Sequence, residues 1–416
     1  MTSSIAHAAQ ASMSQELCRI RVFREEHPGR GSAWIMGHRY TELSRRAQQA
    51  RLRAHLQSIV WFTYRCGFPP VRYDMSHTES ARDKRKELTS DAGWGCMIRT
   101  GQMLLAETFR RHWNVPHDAN EELTRYRLLK LFADEPTAPF GLHAIVQRGA
   151  AAYGARIGSW YGPTIISRVM CDLVTTHGRR HADESDADVP CSKLGVLVAQ
   201  EGMIYVSEVE ACCCPRASRA DSFLGCKDEF DPIHHPPPAR EPEPWKCALL
   251  LLVPLRLGLD SVSEEYIRLL SSTFQFPQSV GFMGGKRAHA VYVVGTNERD
   301  AFVFDPHTIQ PAARSLPEDV PNALRSLCTD KLLVMTLAEV DPSLALGFFC
   351  RDRSEFEDLR ERIENLGESP MMVANAPPDM SDSMLACVAS DVDNGVESGD
   401  EEDEYIVISH CVPPTT

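Results

Sequence analysis

Beyond Arg362 the sequence has no lysine or arginine, although 44 such residues precede it. Twelve of its 57 carboxylates lie in that last stretch, so the remaining 45 face 44 cations and leave the body at −1 of the total −13. With no concentrated basic face to neutralise a phosphate backbone, a nucleic-acid partner is excluded. Long apolar runs are missing too. The longest, Cys247 to Leu255, is far shorter than the ~20 residues that a membrane-spanning helix needs, and the first residues lack the apolar core of a signal peptide. The 14 cysteines show no regular spacing, which argues against a disulfide framework and for reduced thiols in the cytoplasm. No internal repeat is visible. What remains is a chain of 416 residues, 43% hydrophobic and 24% charged, long enough to bury one large core and carry an appendage.

One stretch stands out against this ordinary composition, Thr89-Ser90-Asp91-Ala92-Gly93-Trp94-Gly95-Cys96 followed by Met97-Ile98-Arg99-Thr100-Gly101-Gln102-Met103-Leu104. Gly93 and Gly95 allow a sharp turn. Ile98, Gly101 and Leu105, with Met97, Leu104 and Thr108, then recur at helical spacing. Cys96 therefore opens a helix. There the amide groups and the positive end of the helix dipole lower a thiol's pKa toward the reactive thiolate. A buried structural cysteine is the competing reading.

The chain around it reads as α+β, helices first and strands later. Residues 1–40 form a flexible lead-in, and a helix spans about 41–64 before Phe68-Pro69-Pro70 stops it. Further helices fall near 96–113, 121–133 and 143–152 and after Tyr161-Gly162-Pro163, so a small helical insertion occupies about 115–180. Strands are expected at 194–199 and 203–209, then a loop at 211–244. Others follow at 247–253, 279–283, 289–295, 300–305, 331–336 and 346–350. Helices near 262–273 and 353–366 close a domain of residues 41–366. The acidic tail, 367–416, has the composition of disorder.

A thiol nucleophile needs a base and the base an orienting group. Asp305-Pro306-His307 offers both at the end of a strand-like run. His289 is a rival base on the preceding strand, with Asp305 closing its neighbour, and spacing does not choose between them. Cys212-Cys213-Cys214 with Cys226, His234 and His235 raises the question of zinc, but structural zinc sites draw on pairs two to four residues apart. A solvated loop is the better reading, and no metal or cofactor is assigned.

The segment from Thr89 to Ala106 resembles the nucleophile segment of the autophagins, the papain-like cysteine peptidases of autophagy that process GABARAP-type ubiquitin-like modifiers. Six further blocks resemble that family in its order. They are Trp61-Phe62-Thr63-Tyr64-Arg65, Trp160-Tyr161-Gly162-Pro163, Trp245 to Leu259, Phe276 to Gly285, Phe304-Asp305-Pro306-His307-Thr308 and Gly347-Phe348-Phe349-Cys350. The resemblance covers roughly residues 35–365. It implies Cys96 as nucleophile, His307 as base, Asp305 as its orienter and Tyr64 as an oxyanion partner. It also implies that Trp160 covers the cleft, facing a movable gate at Phe276, Pro277 and Gln278. The implied activity is cleavage of the modifier precursor after a glycine and release of the modifier from phosphatidylethanolamine. Contact with autophagic membranes would come through the substrate, and no cofactor is implied. Other classes are a deubiquitinase-like thiol hydrolase and an idle modifier-binding scaffold.

The sequence departs from that pattern after Gly284-Gly285-Lys286, where Arg287-Ala288 replace a proline and a polar residue. His289 also stands two positions before a histidine that the family often has near Val291. In the tail, Tyr405-Ile406-Val407-Ile408 follows Glu401-Glu402-Asp403-Glu404. It resembles the short motifs that add a strand to such modifiers, with Tyr405 and Ile408 as apolar anchors.

Overall fold

The apolar run too short for a membrane is the strand Ala248–Arg256, covered on both faces. Successive side chains of a strand point to opposite sides. Accordingly Ala248, Leu250 and Leu252 enter the core that holds the nucleophile segment. Leu249, Leu251, Val253 and Leu255 enter a second core, with Ile267 and Leu270 of the helix Glu264–Thr273 and Phe356, Leu359 and Ile363 of the helix Arg353–Glu364. Burial on both faces makes the strand read as continuously apolar instead of alternating.

The computed structural model describes residues 20–22, 32–43, 45–72, 87–117, 121–181, 193–214, 244–286, 289–297 and 300–378. The main sheet runs, in spatial order, Arg21–Val22, Leu333–Thr336, Asp300–Phe304, His289–Asn297, Ser279–Lys286, Ser343–Cys350, Ala248–Arg256 and Leu194–Val198. Every pairing along this path is antiparallel except the last. The helix Cys96–His112 packs on Ser279–Lys286 and His289–Asn297. All its residues from Cys96 to Arg110 are buried. The helices Glu121–Phe132, Leu142–Tyr153 and Pro163–Arg180 follow as the expected insertion, and their Leu128, Ile145 and Val169 share its core. This is an α+β fold of the papain-like kind, a buried helix whose N-terminus faces strands of an antiparallel sheet.

A smaller sheet positions the base. Its order is Ile309–Pro311, Tyr64–Arg72, Glu87–Ser90, and Ile309 pairs in parallel with Tyr64. Here the structure corrects the helix expected over 41–64, which spans only Arg46–Ser58. Ile59 is already extended, at φ −73° and ψ 130°. The run Ile59-Val60-Trp61-Phe62-Thr63-Tyr64 is β-branched and aromatic, and such residues favour extended backbone once a partner strand exists. Pro69 and Pro70 lie inside the strand, where the register breaks between Cys66 and Val71. A proline is tolerated at such a break because no ladder donor is needed.

Three other expectations change. Part of the lead-in is a hairpin, Ala33–Ile35 with His38–Tyr40, added to the strand His289–Asn297. Gly37 makes its turn at φ +87°, and a side chain there would come within 2.7 Å of Pro277 Cα. The strand expected at 203–209 stops at Tyr205, and Val206–Cys213 is a helix that reaches into the loop placed at 211–244. Met372–Ala374 pairs in parallel with Met203–Tyr205, so ordered chain continues past Gly367. Most of the 211–244 loop and the tail motif at Tyr405 and Ile408 lie outside the described residues.

Because Ile35 is fully buried in the core of the nucleophile helix, Ile35→Ala should destabilise the domain by about 2–4 kcal/mol. Denaturant titration measures this. A frayed lead-in would show no change.

Candidate active site

The turn before Cys96 is built on one carboxylate. Asp91 is buried, and its Oδ1 accepts from the Arg65 amide at 2.6 Å while Oδ2 accepts from Arg99 Nε at 2.7 Å. Its carbonyl accepts from the amides of Trp94 and Gly95. Any side chain on Gly95 would overlap the Asp91 carboxylate, and Gly93 takes φ +87°. These two glycines let the chain fold tightly around Asp91 and present Cys96 as the first residue of its helix. One further buried group extends the cluster, for Arg99 Nη1 also meets Asp134 Oδ1 at 2.8 Å.

His307 comes from the turn after Asp300–Phe304. Its Nδ1 donates to Asp305 Oδ1 at 2.5 Å and its backbone amide to the same oxygen at 3.0 Å. The intervening proline keeps both on one side. The turn is fastened from below, since Trp61 Nε1 donates to the Asp305 carbonyl at 2.9 Å and the Tyr64 amide to the Pro306 carbonyl at 2.8 Å. Tyr64 then meets the His307 ring edge-on, centroids 5.2 Å apart at 84°.

These contacts bring Cys96, Asp305, His307 and Tyr64 together, all of them buried. Burial pushes the Cys96 thiol up, but hydrogen bonds to His307 first, then to the Ala290 backbone and Tyr64, outweigh it and leave it lowered. Burial likewise opposes charge on His307, yet the hydrogen bonds to Asp305 and Cys96 raise its pKa to about 9. Asp305 is held below its ordinary value, burial being overcome by His307. Tyr64 stays protonated, since burial and the neighbouring Cys96 sulfur raise it. The lowered thiol, the raised imidazole and the protonated phenol together favour a thiolate and imidazolium pair with a hydrogen-bond donor beside it. The sequence located the lowered thiol at a helix start. The structure adds that the imidazolium supplies most of the shift.

The other sequence candidates are placed differently. His289 does not take the base position: its ring lies parallel to that of His307, centroids 3.5 Å apart, and its Nε2 is 4.0 Å from Asp305 Oδ1. Trp160 is 38% exposed, available at the surface ahead of the helix Pro163–Arg180. Phe276, Pro277 and Gln278 are not brought to the sulfur. Gln278 Nε2 donates to the Glu355 carbonyl and to Asp358 Oδ2, the Pro277 carbonyl accepts from Arg111, and Phe276 faces Phe348. That segment precedes the far end of Ser279–Lys286, whose other end pairs with His289. A strand rises about 3.3 Å per residue, so some 20 Å separates them. The element beside the sulfur is instead the start of His289–Asn297, through Ala290. Cys212 and Cys213 end the helix Val206–Cys213, and Cys226, His234 and His235 lie outside the described residues.

Sequence reasoning missed Asp91, Arg99, Arg65 and Trp61 as supports, although all four stand inside the motif blocks. A charged residue in an otherwise apolar or glycine-rich block was the available signal.

A raised His307 pKa keeps the proton donor charged up to about pH 9 and loses it above. Turnover should therefore hold through neutral pH and fall as pH rises past about 9, whereas alkylation of Cys96 by iodoacetamide should persist there. An alkaline loss of turnover near pH 6.5, the value of an unperturbed histidine, would contradict the geometry.

The model of the Peptidase C54 catalytic domain matches residues 49–362. Cysteine protease ATG4B of Gallus gallus is 30% identical over 395 residues, covering 89% of this chain and 92% of that protein. Cysteine protease ATG4 of Medicago truncatula is 31% identical over 403 residues, covering 94% and 75%. Cysteine protease ATG4a of Arabidopsis thaliana is 32% identical over 366 residues, covering 85% and 69%. The chain therefore belongs to the Peptidase C54 family, the ATG4 or autophagin cysteine proteases of autophagy.

Proposed function

We propose that this protease cleaves a GABARAP-type ubiquitin-like modifier after a glycine near its C-terminus, exposing that glycine for lipidation. It also hydrolyses the amide that joins the modifier to phosphatidylethanolamine. The observation that carries the reading is a thiol that is fully buried, at 0% exposure, and whose pKa is lowered by the neighbouring His307. Such a nucleophile suits a slender, extended chain end with little side chain, which a glycine terminus provides. Trp160, partly exposed, is the group proposed to cover that chain. No helix among the described residues is long and apolar enough to cross a membrane. As part of the same proposal, the protein acts from the cytoplasm and meets membranes through its lipid-linked substrate.

In this reading the Cys96 thiolate attacks the glycine carbonyl carbon. The oxyanion forms beside the Cys96 amide at the helix start and the Tyr64 O–H, which donate to the developing charge. His307 gives its proton to the departing amine, the C–N bond breaks, and a thioester remains on Cys96. Neutral His307 then takes a proton from water, the hydroxide attacks the thioester, and the thiolate leaves. Asp305 holds Nδ1–H throughout, so that Nε2 faces the sulfur.

Cys96→Ala should lower kcat by on the order of 10⁴-fold or more while leaving modifier binding intact, and His307→Ala and Asp305→Ala should each cripple turnover. A gel assay with GABARAP-type precursors, a lipidated form and a linear ubiquitin fusion checks both chemistry and substrate class. Full cleavage by Cys96→Ala would sink the nucleophile assignment, and preference for the ubiquitin fusion would sink the substrate.

The tail is proposed as a second contact. Its segment Tyr405 to Ile408 would add a strand to the modifier, with Tyr405 and Ile408 in two apolar pockets and the preceding carboxylates on a basic rim. An aromatic anchor is worth about 2 kcal/mol, so Tyr405→Ala should weaken modifier binding roughly thirtyfold and raise KM with little change in kcat. Equal affinity of wild type, Tyr405→Ala and a chain ending at Gly399 would remove the docking role.

A further inference from the structure

With His307 as proton donor, His289 has no part in the proton transfers, although its ring lies flat on the His307 ring. The centroids are 3.5 Å apart and the planes differ by 2°. On another side the Tyr64 ring meets His307 edge-on at 84°. In its own plane His307 is tied through Nδ1 to Asp305, and Cys96 also raises its pKa. The in-plane hydrogen bond fixes where Nδ1 points. It resists tilting of the ring out of that plane only weakly, since a hydrogen bond keeps much of its strength until it is bent well away from linear.

We propose that His289 is a positioning residue for the catalytic imidazolium: it covers one face of His307, holds the ring plane that aligns Asp305 with Cys96, and keeps water from that face. The inference rests on the assignment of His307 as proton donor. His289 begins the strand His289–Asn297 and pairs with Lys286 of the antiparallel neighbouring strand, so the sheet fixes the backbone from which its ring projects. Only 7% of the residue is exposed.

Among the described residues, the charged and titratable groups that act on it are His307, Asp305 and Lys286. Burial first, then the charge on His307, pull the pKa of His289 down to about 4, against the pull of Asp305 and with a smaller contribution from Lys286. At working pH one ring of the stack is neutral and the other charged. A cation over a neutral aromatic face is attracted to it, and a second charged ring would be repelled. A neutral His289, with its Nε2 4.0 Å from Asp305 Oδ1, also leaves that carboxylate to His307. The sequence presented His289 as the rival base. The geometry makes it the support of the base.

The test compares wild type, His289→Ala, His289→Asn and His289→Phe, with His307→Ala as reference. One readout is kcat and KM on a GABARAP-type precursor. The other is the pH dependence of iodoacetamide alkylation at Cys96, located by peptide mapping. Loss of the ring in the Ala and Asn variants should lower kcat about tenfold with KM within about twofold. It should also move the acid limb of Cys96 alkylation to higher pH, because a misaligned imidazolium stabilises the thiolate less. His289→Phe keeps a flat ring and should restore both readouts to within about threefold of wild type. If His289→Ala does not fold, the Asn and Phe variants alone decide. Wild-type kcat and alkylation in the ring-less variants would overturn the proposal, and so would a Phe variant as impaired as they are. A fully active His307→Ala would instead sink the assignment of the base.

Discussion

Four buried charges, Arg65, Asp91, Arg99 and Asp134, tie together the three chain segments that meet at the sulfur. Asp91 binds the Arg65 amide on the strand that carries Tyr64 and the Arg99 side chain on the helix that carries Cys96. Asp134 receives Arg99 at 2.8 Å and the Ala313 amide just beyond the His307 turn, also at 2.8 Å. Arg65 donates to the Pro311 carbonyl and Ser326 Oγ of that same region. Two carboxylates balance two guanidinium groups, which is what burial of charge requires. Deleting one partner of such a set strands the others and typically costs about 3–5 kcal/mol. The proposed nucleophile, oxyanion partner and base come from positions 96, 64 and 307, and this network ties together the segments that carry them.

The same balance recurs at the site. Cys96, His307 and Asp305 are each buried deeply enough that an isolated charge would be expelled as the neutral form. Together they favour one thiolate, one imidazolium and one carboxylate, the pKa of each shifted toward its charged form by its neighbour. The Tyr64 phenol, which stays protonated, supplies a hydrogen-bond donor without adding charge. A site of this kind is ready before substrate arrives, so little reorganisation is left for the reaction itself.

Much of this could be read from the sequence. Glycines around Trp94, a cysteine opening an amphipathic run and Asp305-Pro306-His307 mark candidates for the chemistry, because short-range backbone demands leave strong local marks, while the choice of His307 over His289 came from the family resemblance. The α+β order and most helices and strands after Cys96 were equally plain. What escaped depends on distant partners. Ile59 to Tyr64 became extended since Ile309–Pro311 pairs with that chain, and residues 33–40 joined the strand His289–Asn297. Both partners lie more than 200 residues away in sequence. The family resemblance implied a movable gate at Phe276-Pro277-Gln278, whereas in the structure the Pro277 carbonyl and the Gln278 side chain are bound by Arg111, Glu355 and Asp358. His289 could be seen as chemistry but not as support, for nothing local tells a stacked ring from a base.

The account turns on one cysteine in fourteen being the nucleophile by position rather than by access. Cys96 is buried and Cys66 is exposed, so reactivity by exposure and reactivity by environment point to different residues. The direct measurement is covalent trapping with a GABARAP-type modifier whose C-terminal glycine carries an electrophile, followed by peptide mapping of the adduct. A single adduct on Cys96 at neutral pH, lost in His307→Ala, is the result expected. An adduct on Cys66 or any other cysteine, or undiminished labelling of Cys96 without His307, would contradict it.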